Sequence, residues 1–116
     1  TIAMVGVSKD DKKPSTIVMK YMQKYGFKVI PVNPRAKGEK ILGEQVYAKL
    51  EDIKIPIEIV NVFRPSKEAI NFARDAVKID AKVLWLQLGI RCEEAKTLVE
   101  NNQIQYIETS LVSHTS

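Results

Sequence analysis

The sequence predicts an α/β protein built on one doubly wound, parallel, five-stranded sheet with helices on both faces. Five short runs rich in Ile and Val alternate with stretches of helical periodicity. The first and fourth runs are apolar almost throughout, as strands covered on both faces are. The helical stretches between the runs carry recognisable ends. Strand, helix and strand repeated in this way close into a parallel sheet, because right-handed crossovers are close to obligatory. Counting the five runs along the chain, the expected strand order is 3-2-1-4-5.

The first run, "IAMVGV" (2–7), opens the chain. "STIVMKYMQKY" (15–25) then places Ile17, Val18, Tyr21, Met22 and Tyr25 on one helical stripe expected to face the core, with Ser15 as cap after Pro14 and Gly26 as stop. "FKVIPV" (27–32) is the second strand. The connection 33–56 breaks the rhythm: it holds Gly38, Gly43 and Pro56 and only a weak helical signal at 47–53. So long a connection is more often functional or locally structured than idle. "IEIVNVF" (57–63) is the third strand. "SKEAINFARDAVKI" (66–79) follows Pro65 as a helix, with Glu68 in its first turn and Ala69, Ile70, Ala73, Ala76 and Val77 inward. "AKVLWLQL" (81–88) is the fourth strand, with Trp85 read as core. "CEEAKTLVENN" (92–102) begins with acids that suit the helix dipole but has a poor cap, and "IQYIE" (104–108) is the fifth strand. Residues 109–116 read as a polar tail.

A length of 116 residues, 45% hydrophobic and 28% charged, fits one domain spanning 1–116. No apolar run approaches the roughly 18 residues a bilayer span needs, and the first residues lack the basic and small-residue features of an export signal, so the expectation is a cytoplasmic protein with no membrane partner. One cysteine, Cys92, makes no intramolecular disulfide and no metal cluster. A formal charge of +4 suits a phosphate-bearing ligand, yet the cations are spread among acids with no basic block, which argues against nucleic acid.

In an open sheet of this kind, ligands sit beyond the carboxyl ends of the strands, where the order reverses. Those positions hold Gly6, Val7 and Ser8; Asn33, Pro34 and Arg35; Arg64 and Pro65; and Gln87, Leu88 and Gly89. The first loop has one glycine where a dinucleotide fingerprint has three, so that assignment fails. A phosphate site remains open there: Gly6 permits close approach, Ser8 offers a hydroxyl, the next helix aims free N–H groups at the mouth, and Lys12 and Lys13 add charge. A plain solvated turn fits the same residues. At the end of the second strand, NAD-binding chains commonly carry a carboxylate for the ribose diol, whereas Arg35 suits a phosphorylated ribose. NAD is therefore disfavoured, and NADP and coenzyme A are the common ligands left. Asn33 and Pro34 also read as a simple turn with Arg35 in solvent.

Taken together, "VGVSKDDKKPS" (5–15), "GFKVIPVNPRAKGEKILGEQVY" (26–47), "VNVFRPS" (60–66) and "VLWLQLGI" (83–90) resemble the CoA-binding domain family. The likeness is to its small stand-alone members, which are similar to the CoA-binding part of the succinyl-CoA synthetase alpha subunit. The resemblance implies a Rossmann-like fold that binds coenzyme A through its ADP portion without chemistry of its own. By that resemblance Gly6, Val7 and Ser8 would hold the pyrophosphate, Lys13 would add charge, and Pro14 and Ser15 would shape the helix start. Asn33, Pro34 and Arg35 would meet the adenosine and its ribose phosphate with support from Lys37, and Phe63, Arg64, Gln87, Leu88 and Gly89 would line the remaining wall. The ending "YIETSLVSHTS" departs from the family in lacking a Cys, which puts a thiol-dependent role for that segment in doubt.

Other readings of the same residues are an NADP-dependent oxidoreductase and an interaction module, either a nucleic-acid binder using the net charge or a subunit fragment of a larger CoA ligase; a second copy of the chain or a protein partner is left open. His114, two residues from the end of the chain, reads as exposed and not as a base. Cys92 at a helix start reads as packing, with a redox role as its alternative. The expectation is a non-enzymatic module for coenzyme A or an acyl-CoA.

Overall fold

A computed structural model of the chain describes residues 1–10, 12–87 and 89–108. Leu88 and the tail at 109–116, with Thr109, Ser110 and His114, lie outside the described residues. In chain order the elements are β1 (Ile2–Val5), α1 (Pro14–Lys24), β2 (Val29–Val32), β3 (Lys40–Ile41), β4 (Glu44–Gln45), β5 (Ile59–Val62), α2 (Ser66–Lys78), β6 (Val83–Leu86), α3 (Glu93–Asn101) and β7 (Gln105–Glu108). Single 3-10 turns sit at Pro34–Ala36 and Leu50–Asp52. Five strands make one parallel sheet in the order β2-β1-β5-β6-β7, and β3 pairs with β4 as a small antiparallel ribbon. This is the doubly wound, Rossmann-like α/β architecture expected from the alternating runs. Each strand is a shorter part of its apolar run.

Strand alternation divides the core. Ala3, Val5, Ile30, Val32, Val60, Val62, Leu84 and Leu86 point to the face covered by α2 and α3, while Ile2, Met4 and Val29 point to the face covered by α1. Ala69, Ala73 and Ala76 are fully buried and let α2 lie close on the sheet. The connection after β2 resolves into the β3–β4 ribbon and a turn whose Leu50, followed by Ile53 and Ile57, joins the core on the α2 side.

The strand order corrects the expectation. In the count of five runs it is 2-1-3-4-5, not 3-2-1-4-5, because the third run lies beside the first and not outside the second. Pro31 supplies the reason. The N–H of Ile2 donates to the Lys28 carbonyl and that of Gly6 to the Val32 carbonyl, so the even-numbered residues of β2 turn toward β1 and Pro31 turns to the outer side. A strand laid there would need an N–H that proline lacks, which confines β2 to the edge. The Pro31 carbonyl instead accepts from Tyr47 N–H (3.1 Å), and Asn33 N–H donates to the Tyr47 carbonyl (2.8 Å).

The first helix is also rotated from its expected setting. Ser15, Thr16 and Met19 are its buried residues, whereas Ile17, Tyr21 and Tyr25 are 53%, 58% and 64% exposed. Ser15, expected as the cap, lies within the first turn; Pro14 opens the helix and Lys13 stands at the cap position without a side-chain bond. Hydroxyl chemistry fixes the rotation. Thr16 Oγ1 donates to the Ser8 carbonyl (2.6 Å) and Ser15 Oγ accepts from Ser8 N–H (3.3 Å). Both side chains must therefore face the loop after β1, which turns Ile17, Tyr21 and Tyr25 outward while Val18 and Met22 stay half-buried against the core.

At the other end of the sheet, Cys92 supplies the cap that the sequence reading lacks for α3, its Sγ accepting from Ala95 N–H (3.4 Å). Tyr106 hydroxyl accepts from Cys92 N–H (3.3 Å) and donates to Glu108 (2.6 Å). Burial and that carboxylate push its ionisation well above the ordinary tyrosine value, so it stays a neutral donor. Trp85, read as core, is only half-buried. No helix among the described residues is long and apolar enough to cross a membrane.

The two helix faces differ in what they contribute to stability. Leu84→Ala, at a fully buried position, is expected to lower the unfolding free energy by roughly 2 to 5 kcal/mol. Tyr21→Ala should change it by less than about 0.5 kcal/mol. Urea unfolding of both variants checks this; a loss at Tyr21 rivalling that at Leu84 would contradict the observed helix rotation.

Candidate functional site

The carboxyl ends of β1, β2 and β5 open into a cavity of about 1050 Å³. Its first wall is the turn after β1. Gly6 has φ +89°, and a Cβ placed there would lie 2.6 Å from the Phe63 carbonyl oxygen. Only glycine combines that backbone angle with so close an approach. The loop beyond it is held by the hydroxyls of α1, and the helix behind it begins without a side-chain cap. First-turn N–H groups left without a cap form a general anion-binding element.

The second wall is organised by Asn33. Its Nδ2 donates to the Val7 carbonyl (2.9 Å), which ties the two strand-end loops together. Its Oδ1 accepts from Arg35 N–H (3.0 Å) and starts the turn Pro34–Ala36. Arg35 is thereby presented on an exposed turn at the cavity, and among the described residues no carboxylate lies within ion-pair distance of it.

Two other cations are committed. Arg64 binds Glu68 through two hydrogen bonds, Nε to Oε1 at 3.1 Å and Nη2 to Oε2 at 2.7 Å, and Lys9 pairs with Glu39 at 2.8 Å. The Arg64 hydrogen bonds hold the Glu68 carboxyl below the usual carboxylate range, helped by the charges of Arg64, Lys67 and Arg35 against a smaller opposing push from burial. Arg35 thus belongs to the same electrostatic neighbourhood as the Arg64–Glu68 pair.

Of the residues singled out in the sequence, Gly6, Ser8, Lys13, Asn33, Pro34, Arg35 and Arg64 line this cavity. The others fall elsewhere. Val7 turns its side chain into the core and contributes its carbonyl to Asn33. Pro14 and Ser15 shape the helix start behind the loop. Phe63 packs toward the α1-side core, and Gln87 is buried with its N–H donating to the Val62 carbonyl (3.1 Å). Lys37 and Gly89 are exposed and do not line the cavity, and Leu88 lies outside the described residues.

A third wall, made of residues not singled out in the sequence, comes from Ala48, Lys49, Leu50 and Glu51 of the long connection and Phe72 and Asp75 of α2. The available signal was weak: Ala69 and Ala73 mark the inner face of α2, and Phe72 and Asp75 flank it three residues apart.

A cavity with a side-chain-free approach at Gly6, an uncapped helix start and an arginine without a carboxylate partner among the described residues fits a ligand with more than one phosphate. The model of the CoA binding domain family matches residues 1–115. The chain is similar to the uncharacterized protein YneT of Bacillus subtilis (strain 168), with 39% identity over 99 residues, covering 85% of this chain and 72% of that protein. Among solved structures it is similar to a hypothetical protein from Pyrococcus horikoshii OT3 (32% identity, TM-score 0.89, 94% of this chain and 75% of that one). It is likewise similar to cell-free ID.343 from Thermus thermophilus (34% identity, TM-score 0.89, 98% and 87%). The fold also matches part of a dinucleotide forming acetyl-coenzyme A synthetase 1 from Ca. Korarchaeum cryptofilum (24% identity, TM-score 0.76, 90% and 25%).

Two positions hold the site together and can be separated by substitution. Gly6→Ala is expected to cost more than about 2 kcal/mol, from the left-handed angle and the collision with the Phe63 carbonyl. Asn33→Ala should cost about 1 to 2 kcal/mol through loss of the Arg35 cap and the Val7 bond. Asn33→Asp keeps the acceptor and loses the donor, and should fall between wild type and Asn33→Ala in urea unfolding.

Proposed function

This chain belongs to the CoA binding domain family, and from that premise we propose that it is a binding module for coenzyme A or an acyl-CoA, gripping the ligand by its phosphorylated ADP end without catalysing a reaction. The observation that carries this reading is Arg35, held at the cavity by the Asn33 turn and left without a carboxylate partner among the described residues. A guanidinium in that condition accepts a phosphate monoester through paired hydrogen bonds without first breaking an ion pair. The pyrophosphate goes to the turn of Gly6 and Ser8, where Lys13 and the uncapped start of α1 supply positive charge.

The side chains around the cavity support a binding role over a catalytic one. Ser8 Oγ accepts from Asp10 N–H (3.1 Å) and has no imidazole or thiolate beside it among the described lining residues. Gln87, an uncharged amide, is buried away from the cavity. Recognition through the ADP end leaves the pantetheine arm unread, so CoA and acyl-CoAs should bind with similar affinity.

A thermal-shift comparison of CoA, dephospho-CoA, NADP, NAD and ATP tests the reading. CoA at about a hundred times its Kd should raise the melting temperature by on the order of 10 °C, and dephospho-CoA should do much less. Arg35→Ala should weaken CoA roughly 10- to 100-fold and leave dephospho-CoA nearly unchanged. A larger shift with NADP than with CoA would replace the module by an NADP-dependent oxidoreductase. The absence of a shift with any phosphorylated-ribose ligand would remove the proposal.

A further inference from the structure

The face of α1 that the Ser8 bonds turn outward takes no part in the cavity, since Ile17, Tyr21 and Tyr25 do not line it. We propose that this face is a docking surface for an acidic amphipathic helix of a partner protein, which seats on the row Ile17, Tyr21 and Tyr25 and sets its carboxylates against Lys20 and Lys24. The inference goes beyond the CoA reading and does not depend on it.

Exposed apolar surface is concentrated here. Among the described residues six large apolar side chains are exposed, and four of them, Ile17, Tyr21, Tyr25 and Phe27, fall on α1 and the turn that follows it. Single exposed residues need no explanation, whereas a grouped set marks a surface that meets a partner. Burying this set against the sheet is closed off, because Ser15 and Thr16, on the other side of the helix, are bonded to Ser8. Spaced four apart, Ile17, Tyr21 and Tyr25 form one ridge along the helix, of the kind that fits between the ridges of a second helix. The ridge is already set. The Tyr21 and Tyr25 rings rest against each other with centroids 5.2 Å apart, so docking has less side-chain freedom to remove.

The charge beside the ridge has one sign. Lys20 and Lys24 stand three residues beyond Ile17 and Tyr21, on the same surface of the helix. Both are exposed, and among the described residues neither has a carboxylate within ion-pair distance. No Asp or Glu occurs from Lys12 to Gly38, so α1 holds none, whereas α2 and α3 carry acids in their first turns. Past the helix, Lys28 is already paired with Glu44 (2.9 Å), which leaves the available cations on α1 itself. A helix laid on the ridge with acids on its flank is attracted, and one with basic flanks is repelled. A second copy on the same face meets that repulsion. Two α1 helices packed antiparallel about a two-fold axis bring the Lys20 and Lys24 flank of each against that of the other.

The probe is a synthetic helical peptide of about 18 residues, with leucines four apart along one face, glutamates beside them, and alanine and glutamine elsewhere. Its counterpart carries lysine in place of glutamate. Titration into the whole chain at low salt, followed by calorimetry and NMR, should give the glutamate peptide a Kd on the order of 10 to 100 µM with displaced amide signals along α1. The lysine peptide should bind at least about tenfold more weakly. Tyr21→Ser combined with Tyr25→Ser should weaken the glutamate peptide by about tenfold or more. Lys20→Glu combined with Lys24→Glu should reverse the preference between the two peptides, an outcome that loss of folding does not produce. Equal binding of both peptides, binding of neither, or a preference that survives the lysine substitutions overturns the proposal. A concentration-dependent dimer in sedimentation that Tyr21→Ser disperses also overturns it, because the face then belongs to a second copy. So does tighter binding to vesicles of phosphatidylcholine and phosphatidylserine than to the glutamate peptide, lost in the same variants, because the occupant is then a lipid surface.

Discussion

The contact between Gly6 and the Phe63 carbonyl sets the distance between the ends of β1 and β5, and the cavity is built around that distance. Phe63 N–H donates to the Val5 carbonyl (2.9 Å) and Gly6 N–H to the Val32 carbonyl (2.9 Å), so the central strand is fastened to both neighbours at the point where it leaves the sheet. A side chain at Gly6 would wedge the two ends apart. The strand order matters for the same reason. With β1 between β2 and β5, the residues that follow all three strands converge, and Gly6, Arg35 and Arg64 share one cavity. Had the third run lain outside the second, Arg64 would stand two strands away from Gly6.

The cations of the cavity are not equivalent. Arg64 and Lys9 are already neutralised by partners supplied by their own surroundings, Glu68 one helical turn on and Glu39 in the connection. Arg35 is not. An incoming phosphate therefore meets a preformed but uneven field, in which, among the described residues, Arg35, Lys13 and Lys49 have no carboxylate in ion-pair distance while Arg64 and Lys9 do. The pairing leaves the net charge of +4 unchanged and shapes only the local field at the cavity mouth.

Much of the architecture was legible because strand and helix periods are local properties. Apolar runs such as those at 2–7 and 81–88 declare buried strands without reference to the rest of the chain. Strand order is not local, yet one residue did encode it: Pro31, within an apolar run, argues for an edge strand. Helix rotation was harder. The stripe Ile17, Tyr21 and Tyr25 has the right spacing for a core face, but Ser15 and Thr16 fix the rotation through bonds to Ser8 that a hydropathy pattern does not register. The strand-end residues of the site could be named in advance because topology dictates where they lie. The third wall could not, since Leu50 and Phe72 meet only after the connection has crossed the sheet in the observed order.

Pro31 and Tyr47 have a further consequence at the rim of the sheet. An exposed strand edge is an invitation for another chain to add itself, and proteins blunt such edges with proline or by covering them. Here both devices act on β2, and the covering segment continues directly into Ala48, Lys49 and Leu50. Any loosening of that segment that widened the cavity would also bare the backbone of β2 to strand addition. The dimensions of the cavity are thus tied to protection against aggregation, and its capacity to accommodate bulkier ligands is restrained by a pressure unrelated to binding.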